Sequence, residues 1–201
     1  MTTLDLAALV GSRICHDLIS PIGAIGNGVE LMSLAGDGDT SAEVALITQS
    51  VTNASARIRF FRIAFGAAPP GQTIPLREIR SVLADVAKGG RISFDWSLPE
   101  GAARVDVRAV FLTILCLETA MPHGGDIAVA TEGGAITLTA RAERVRIDDA
   151  LWQAIGSPPA AIDAAPAHVQ FALLPLALGD AGRRASLEHD DDSILVHLQE
   201  V

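Results

Sequence analysis

A chain of 201 residues with 49% hydrophobic content can build one sizeable core or two small domains packed together. Its 24 acidic residues against 15 basic ones give a formal charge of −9, which argues against a surface that gathers nucleic-acid phosphates or anionic lipid and favours a protein partner. The two cysteines, Cys15 and Cys116, lie far apart without paired-ligand spacing, inside apolar helical patterns that usually hold reduced, buried thiols. They imply no metal and suit the cytosol. The N-terminus has no basic stretch followed by an apolar run, and no segment reaches the roughly 18 uninterrupted apolar residues of a membrane span, so a cytoplasmic chain without membrane attachment is expected.

In residues 6–32, Leu6, Val10, Ile14, Leu18, Ile22, Ile25, Val29 and Met32 recur at spacings of three and four, the period of a long amphipathic helix. The Ala-Gly-Asp-Gly-Asp run at 35–39 ends it. Thr40, followed three residues later by Glu43, has the form of a capping box that opens a second helix running to about Phe65. Two long helices joined by a short polar turn make an antiparallel hairpin that cannot cover both of its apolar faces, and pairing with a second copy into a four-helix bundle would do so. Residues 66–72, Gly-Ala-Ala-Pro-Pro-Gly-Gln, terminate the second helix and read as a linker, so the expected domains are 1–68 and 73–201.

Beyond the linker, residues 76–88 and 107–121 read as helices, and residues 91–96, 126–131, 135–141, 185–188 and 194–198 as strands. Residues 148–155 and 165–180 are further helices, with turns at Gly133-Gly134 and Asp190-Asp191-Asp192. The expected fold class is α+β: a helical hairpin, then an antiparallel or mixed sheet with helices on one face.

The chemistry-bearing segment is Arg13-Ile14-Cys15-His16-Asp17-Leu18-Ile19-Ser20-Pro21 in the first helix. At about 100° per residue, His16 lies about 200° from Ile14, pointing away from the apolar stripe and toward solvent. Ser12, Ser20, Gly23 and Asn27 fall within about 40° of it, a stripe of small and polar neighbours that lets a bulky partner reach the imidazole. Pro21 removes a helix hydrogen bond, frees the Asp17 carbonyl and should bend the helix, at a cost of roughly 3 kcal/mol. Neutral imidazole is nucleophilic near physiological pH, and its phosphoramidate passes readily to a carboxylate. Asp17 is placed to accept a hydrogen bond from the second ring nitrogen and to stabilise the charge that develops on the ring, and Arg13, one turn earlier, to contact phosphate or an acidic partner. On residue types alone, an exposed histidine beside a solvated acid is the commoner situation.

The string His16-Asp17-Leu18-Ile19-Ser20-Pro21 resembles the H-box of histidine kinase dimerisation domains, and the wider run from Leu6 to Gly28 closely resembles histidine phosphotransferases of the ChpT type. The resemblance implies a homodimeric helical hairpin followed by a degenerate domain similar to the histidine kinase ATP-binding domain. It implies His16 as phosphoacceptor, Asp17 as its acid/base partner and Ser20 at the position that in kinases can affect dephosphorylation. From the helix geometry, Arg13 and Pro21 are expected to support the site, and Ser12, Gly23 and Asn27 to face the partner. The expected partners are the receiver domain of a hybrid histidine kinase as donor and a response regulator as acceptor in a bacterial phosphorelay.

Against the kinase pattern, the nucleotide motifs are eroded. Setting Pro122-His123-Gly124-Gly125 against the proline and glycines that follow the kinase N-box puts Cys116 where a magnesium-binding asparagine is expected and Thr119 where a lysine is common. A thiol is a poor magnesium ligand. After residues 135–141 the chain continues Ala142-Glu143-Arg144-Val145 in place of an Asp-x-Gly-x-Gly loop, and residues 164–171 lack a glycine-rich lid. The expectation is no ATP and no cofactor of its own, the Mg²⁺ being supplied by the partner receiver. A diverged ATP-dependent kinase and a non-catalytic receiver-binding adaptor are the alternatives.

Other patterns read as structural. Gly23-x-x-Gly26-x-Gly28 lies within a helix and follows no strand, so close helix approach or bending explains it better than phosphate binding. The acids at 37, 39 and 43 lack the glycine and final acid of a calcium loop. His123, His168, His189 and His197 share no ligand spacing. Arg57, Arg59 and Arg62 read as a solvated face, or alternatively as a contact for a partner's acidic phosphorylation pocket.

Overall fold

The computed structural model describes residues 3–35, 39–156 and 165–201. Helix α1 (Thr3–Ala35) runs through Pro21 without interruption, and α2 (Ser41–Ala64) returns beside it. Asp17 meets Arg57, and Gly28 abuts Ile47, the register of an antiparallel hairpin. The close approach expected of the α1 glycines occurs at Gly28 alone of the three, where a Cβ would lie 2.6 Å from Ile47 Cγ1; Gly23 and Gly26 face open space. Thr40 is the N-cap residue of α2, but the capping box does not close. Thr40 makes no side-chain cap bond and Glu43 Oε2 is buried without a partner. Asp39 takes that role, its Oδ1 accepting from the Ser41 N–H at 2.9 Å and from the Ser41 hydroxyl.

The rest of the chain forms α3 (Leu76–Gly89), β1 (Ile92–Trp96), α4 (Arg104–Ala120), β2 (Gly125–Glu132), β3 (Ala135–Arg141), α5 (Asp149–Gln153), α6 (Val169–Asp180), β4 (Arg183–His189) and β5 (Ser193–Glu200). Single 3₁₀ turns follow α5 and precede α6. The helix expected at 148–155 is therefore shorter, capped at its start by Asp148, which accepts from the N–H groups of Ala150 and Leu151. Strand order is β1-β2-β3-β5-β4, with β1 parallel to β2 and the other pairs antiparallel, a mixed sheet in an α+β fold. Ile127, Val129, Ile136, Leu138, Ala140, Ile194, Val196 and Leu198 point to one buried face, as the period of two requires. Gly133 and Gly134, with φ of 57° and 86°, supply the tight turn between β2 and β3.

One hydrophobic cluster runs from the sheet into the hairpin. Phe60, Phe61, Ile63 and Ala64 of α2 are buried with Phe111 and Leu115 of α4, while Leu6, Leu9, Val10 and Ile14 of α1 pack against them. The Phe60 and Phe111 rings lie 4.6 Å apart. Each such phenylalanine contributes about 1.5–3 kcal/mol by burial. The end of the hairpin that holds both chain entry and exit is thus covered by the chain's own α/β layer. On its remaining surface Ile19, Ile22, Val29, Val44, Val51 and Ile58 are exposed. Val44, Val51 and Ile58 recur every seven residues, as do Ile22 and Val29, the repeat of a helix-packing seam.

The arginines of α2 are all ion-paired, Arg57 largely buried and Arg62 still on a solvated face. Arg57 pairs with Glu118 of α4, Arg59 with Asp85 and Arg62 with Glu78 of α3. They are struts between the hairpin and the α/β layer. The sequence pattern concealed this because the acidic partners lie at least 16 residues away in the chain. By length and composition alone, α1 is apolar enough to cross a membrane.

Candidate functional site: His16 and its arginine-braced acid

His16 stands on the solvent face of α1 with its side chain 80% exposed. Ser12, Ser20, Gly23 and Asn27 are exposed beside it on the same face. Its Nδ1 lies 3.3 Å from Asp17 Oδ1. A carboxylate can only accept, so in the neutral ring Nδ1 is the N–H that donates a hydrogen bond to Asp17, and the Nε2 lone pair is directed to solvent.

Asp17 itself is only 14% exposed. Its second oxygen, Oδ2, accepts from Arg13 Nε at 3.1 Å and lies 3.6 Å from a terminal nitrogen of Arg57. The carboxylate is therefore divided: one oxygen is held by two cations and the other is left for the histidine. Arg13 does not extend toward solvent as the sequence suggested. Its guanidinium, 11% exposed, also donates to the Ala167 carbonyl and, at 3.3 Å, to Gln170 Oε1. Gln170 is fully buried, and its amide donates to Thr119 Oγ1 at 3.0 Å.

Arg57 forms a two-pronged pair with Glu118, at 3.0 and 2.8 Å, and its guanidinium carbon lies 5.6 and 5.3 Å from the ring centres of Phe60 and Phe61. Burial opposes its charge, yet Glu118 and Asp17 more than offset this and hold the guanidinium above the ordinary arginine value. Sequence reasoning missed Glu118. The signal was present: it is the only acid between residues 107 and 120, in a largely apolar stretch, and an acid buried there needs a cation.

His16, Asp17, Ser20 and Pro21 line one wall of a cleft of about 690 Å³ between the hairpin and the α/β layer; Gly90, Arg91, Pro122 and Gly124 line the other. Cys15, expected to be buried, is exposed on α1, because position 15 lies on the unpaired flank of the helix. Cys116 is fully buried, and burial raises its thiol well above the usual range, with the Arg13 charge acting in the opposite direction. The Gly124-Gly125 pair, set against a kinase motif in the sequence, has a packing reason. With φ of 91° and 149°, Cβ atoms there would lie 2.1 Å from the Arg91 carbonyl oxygen and 2.0 Å from that of Arg141. No cluster of metal-ligating side chains occurs among the described residues.

A family model described as the histidine phosphotransferase C-terminal domain matches residues 76–193. Protein phosphotransferase ChpT of Brucella abortus (strain 2308) is 36% identical over 206 aligned positions, covering 97% of this chain and 95% of that protein. A solved structure titled as a bacterial phosphotransferase at 1.7 Å superposes with a TM-score of 0.82 at 32% identity, over 99% of this chain and 98% of that one. The matched region spans the α/β layer that braces Asp17 as well as the helix that carries His16, and the chain belongs to the histidine phosphotransferase family that includes ChpT.

Proposed function

We propose that His16 carries a phosphoryl group from the phosphoaspartate of a hybrid-kinase receiver domain to the aspartate of a response regulator, Asp17 acting as its acid/base partner. The observation that carries this reading is the Nδ1 contact to Asp17 at 80% side-chain exposure of His16, which leaves Nε2 free on an open surface. In the first step the Nε2 lone pair forms the N–P bond as the P–O bond to the donor aspartate breaks and its carboxylate leaves. The proton stays on Nδ1, and the ring's positive charge is met by Asp17. In the second step the acceptor's carboxylate oxygen attacks phosphorus, the N–P bond breaks and neutral imidazole returns. The receivers bring Mg²⁺ and their own acidic pocket, so this chain needs to contribute only a positioned nucleophile. Ser12, Ser20, Gly23 and Asn27 form the partner-facing surface, and the cleft's far wall lies within reach of a docked receiver.

Transfer without ATP is supported by the burial of Cys116 and by Gln170, whose amide donates to Thr119 of α4 and whose oxygen accepts from Arg13. We read residues 1–68 as the dimerisation and transfer domain and 73–201 as the degenerate ATPase-like domain. The exposed seam of Ile22, Val29, Val44, Val51 and Ile58 fits a second copy in a four-helix bundle better than lipid, because the opposite flank of α1 carries the ion-paired Arg13 and Asp17. We read the protein as a cytoplasmic homodimer.

The test supplies wild type and His16→Ala with labelled ATP in one arm and a prephosphorylated receiver in the other. Acid-labile label taken only from the receiver, and only with His16 present, is the expected result. Labelling from ATP alone would return the chain to the kinases, and no label from either source across several receivers would favour an adaptor.

A further inference from the structure

We infer that Arg57 is a positioning residue for His16, acting through Asp17 and itself held by Glu118 of the α/β layer. The inference rests on the carrier reading of His16 and deepens it: the degenerate domain serves as a brace for the acid that sets the tautomer of the nucleophile.

The geometry has four links. Glu118 holds the Arg57 guanidinium by two parallel hydrogen bonds, at 3.0 and 2.8 Å, which fixes its plane as well as its position. Phe60 and Phe61 lie against the same guanidinium, so it has little freedom to swing. A terminal nitrogen of Arg57 then lies 3.6 Å from Asp17 Oδ2, on the oxygen that Arg13 also occupies. That leaves Oδ1 as the acceptor for His16 Nδ1. Rotation of the carboxylate would require breaking contacts to both arginines. Arg57 and Glu118 are 23% and 16% exposed, so solvent screens the pair less than it screens Arg62 and Glu78, at 66% and 38%.

Mere packing does not require this arrangement. Glu118 alone neutralises Arg57, and Arg13 alone neutralises Asp17; the two pairs are nonetheless joined at Oδ2. Joining them links α4 to α1 through α2, and carries the rigidity of the α/β core to the acid that touches the histidine. An exposed histidine on an isolated helix would exchange between its two neutral tautomers, and only the Nδ1–H form presents Nε2 to an incoming phosphoryl group.

The experiment uses the full-length chain and a prephosphorylated receiver, with the single variants Arg57→Ala, Arg57→Lys, Glu118→Gln and Asp17→Asn and the double variant Asp17→Asn/Arg57→Ala. Transfer rates and the His16 tautomer, read from nitrogen chemical shifts of ¹⁵N-labelled protein, are measured together. Arg57→Ala should slow transfer on the order of 10-fold, short of the ~100-fold expected of a misplaced reacting group, and should shift the imidazole toward a mixture of tautomers. Arg57→Lys should recover part of the rate, because charge remains but the fork is lost. Glu118→Gln should fall between the two. In the Asp17→Asn background, Arg57→Ala should have no further effect. Equal losses from Arg57→Ala in both backgrounds, or an unchanged tautomer, would overturn the positioning role. Should Arg57→Ala fail to fold, Glu118→Gln decides by the same two readouts. Wild type that takes no label from any receiver would mark failure of the carrier reading itself, a result separable from wild-type transfer with unaffected variants.

Discussion

Gly23 separates stability from transfer, because it lies on the His16 face of α1 but touches nothing. Seven residues along the helix from His16, it is about 10 Å away along the axis and about 20° around it. A Cβ built there meets no atom within 4 Å, and Gly23 sits inside a 33-residue helix. Gly23→Ala should therefore stabilise by about 1 kcal/mol, since the glycine's backbone entropy is removed without a clash. In a domain of this size that raises the melting temperature by about 2–4 °C. Gly23→Leu should keep most of the gain while placing an isobutyl group on the proposed docking face. Displacing reacting groups by about 1 Å can cost ~100-fold, so transfer from a prephosphorylated receiver should fall at least ~10-fold. The assay pairs calorimetric melting with the labelling time course. Gly28→Ala is the control in the opposite sense: its Cβ would lie 2.6 Å from Ile47 Cγ1, and it should lower the melting temperature with α1 and α2 forced apart. Full-rate transfer by a stabilised Gly23→Leu would refute the docking face, and loss of stability in Gly23→Ala would refute the reading of that surface as open.

Val51→Glu, at a position 47% exposed on the heptad seam, should convert a dimer to a monomer in light scattering after size exclusion, with the helical circular dichroism largely retained. A disulfide-exchange reagent should titrate Cys15 at once in the native protein and Cys116 only on unfolding, because the first is exposed and the second is fully buried with its thiol raised by desolvation; two fast equivalents would contradict the burial. Asp85 accepts from Lys88 and Arg59, which hold its carboxyl below the ordinary value of 3.8. A depressed folded value means the stabilisation is intact above about pH 4 and is lost as pH falls through the folded value, so the urea midpoint gap between wild type and Asp85→Asn should be present at pH 7 and shrink below pH 4. A gap independent of pH would rule out the ion pair as its origin.

Much of this molecule is set by local pattern. The 3.6-residue period of α1, the glycine pair between β2 and β3, and the alternation along β3 and β5 each mark an element within a few residues, because propensity and burial periodicity are properties of neighbouring positions. The candidate site was equally legible at its surface: His16, its small neighbours and Asp17 lie on one short stretch of helix, and the rotation per residue places them. Exposure of Cys15 and burial of Arg13 and Arg57 were not legible, since each depends on which flank of the hairpin a distant element covers. Thr40 and Glu43 had the capping sequence without the capping bond, because Asp39 reached the Ser41 N–H first.

By itself, then, the sequence determined where His16 stands and which acid is beside it, information carried by adjacent residues and helical rotation. Only the tertiary structure decided how that acid is held. Arg57 and Glu118 are 61 positions apart in the chain, and Arg13 and Gln170 are 157 apart. No periodicity links such residues. They meet because the aromatic residues of α2 bury against α4, and the same collapse that seals Phe60 and Phe111 brings the arginine and its glutamate to Asp17.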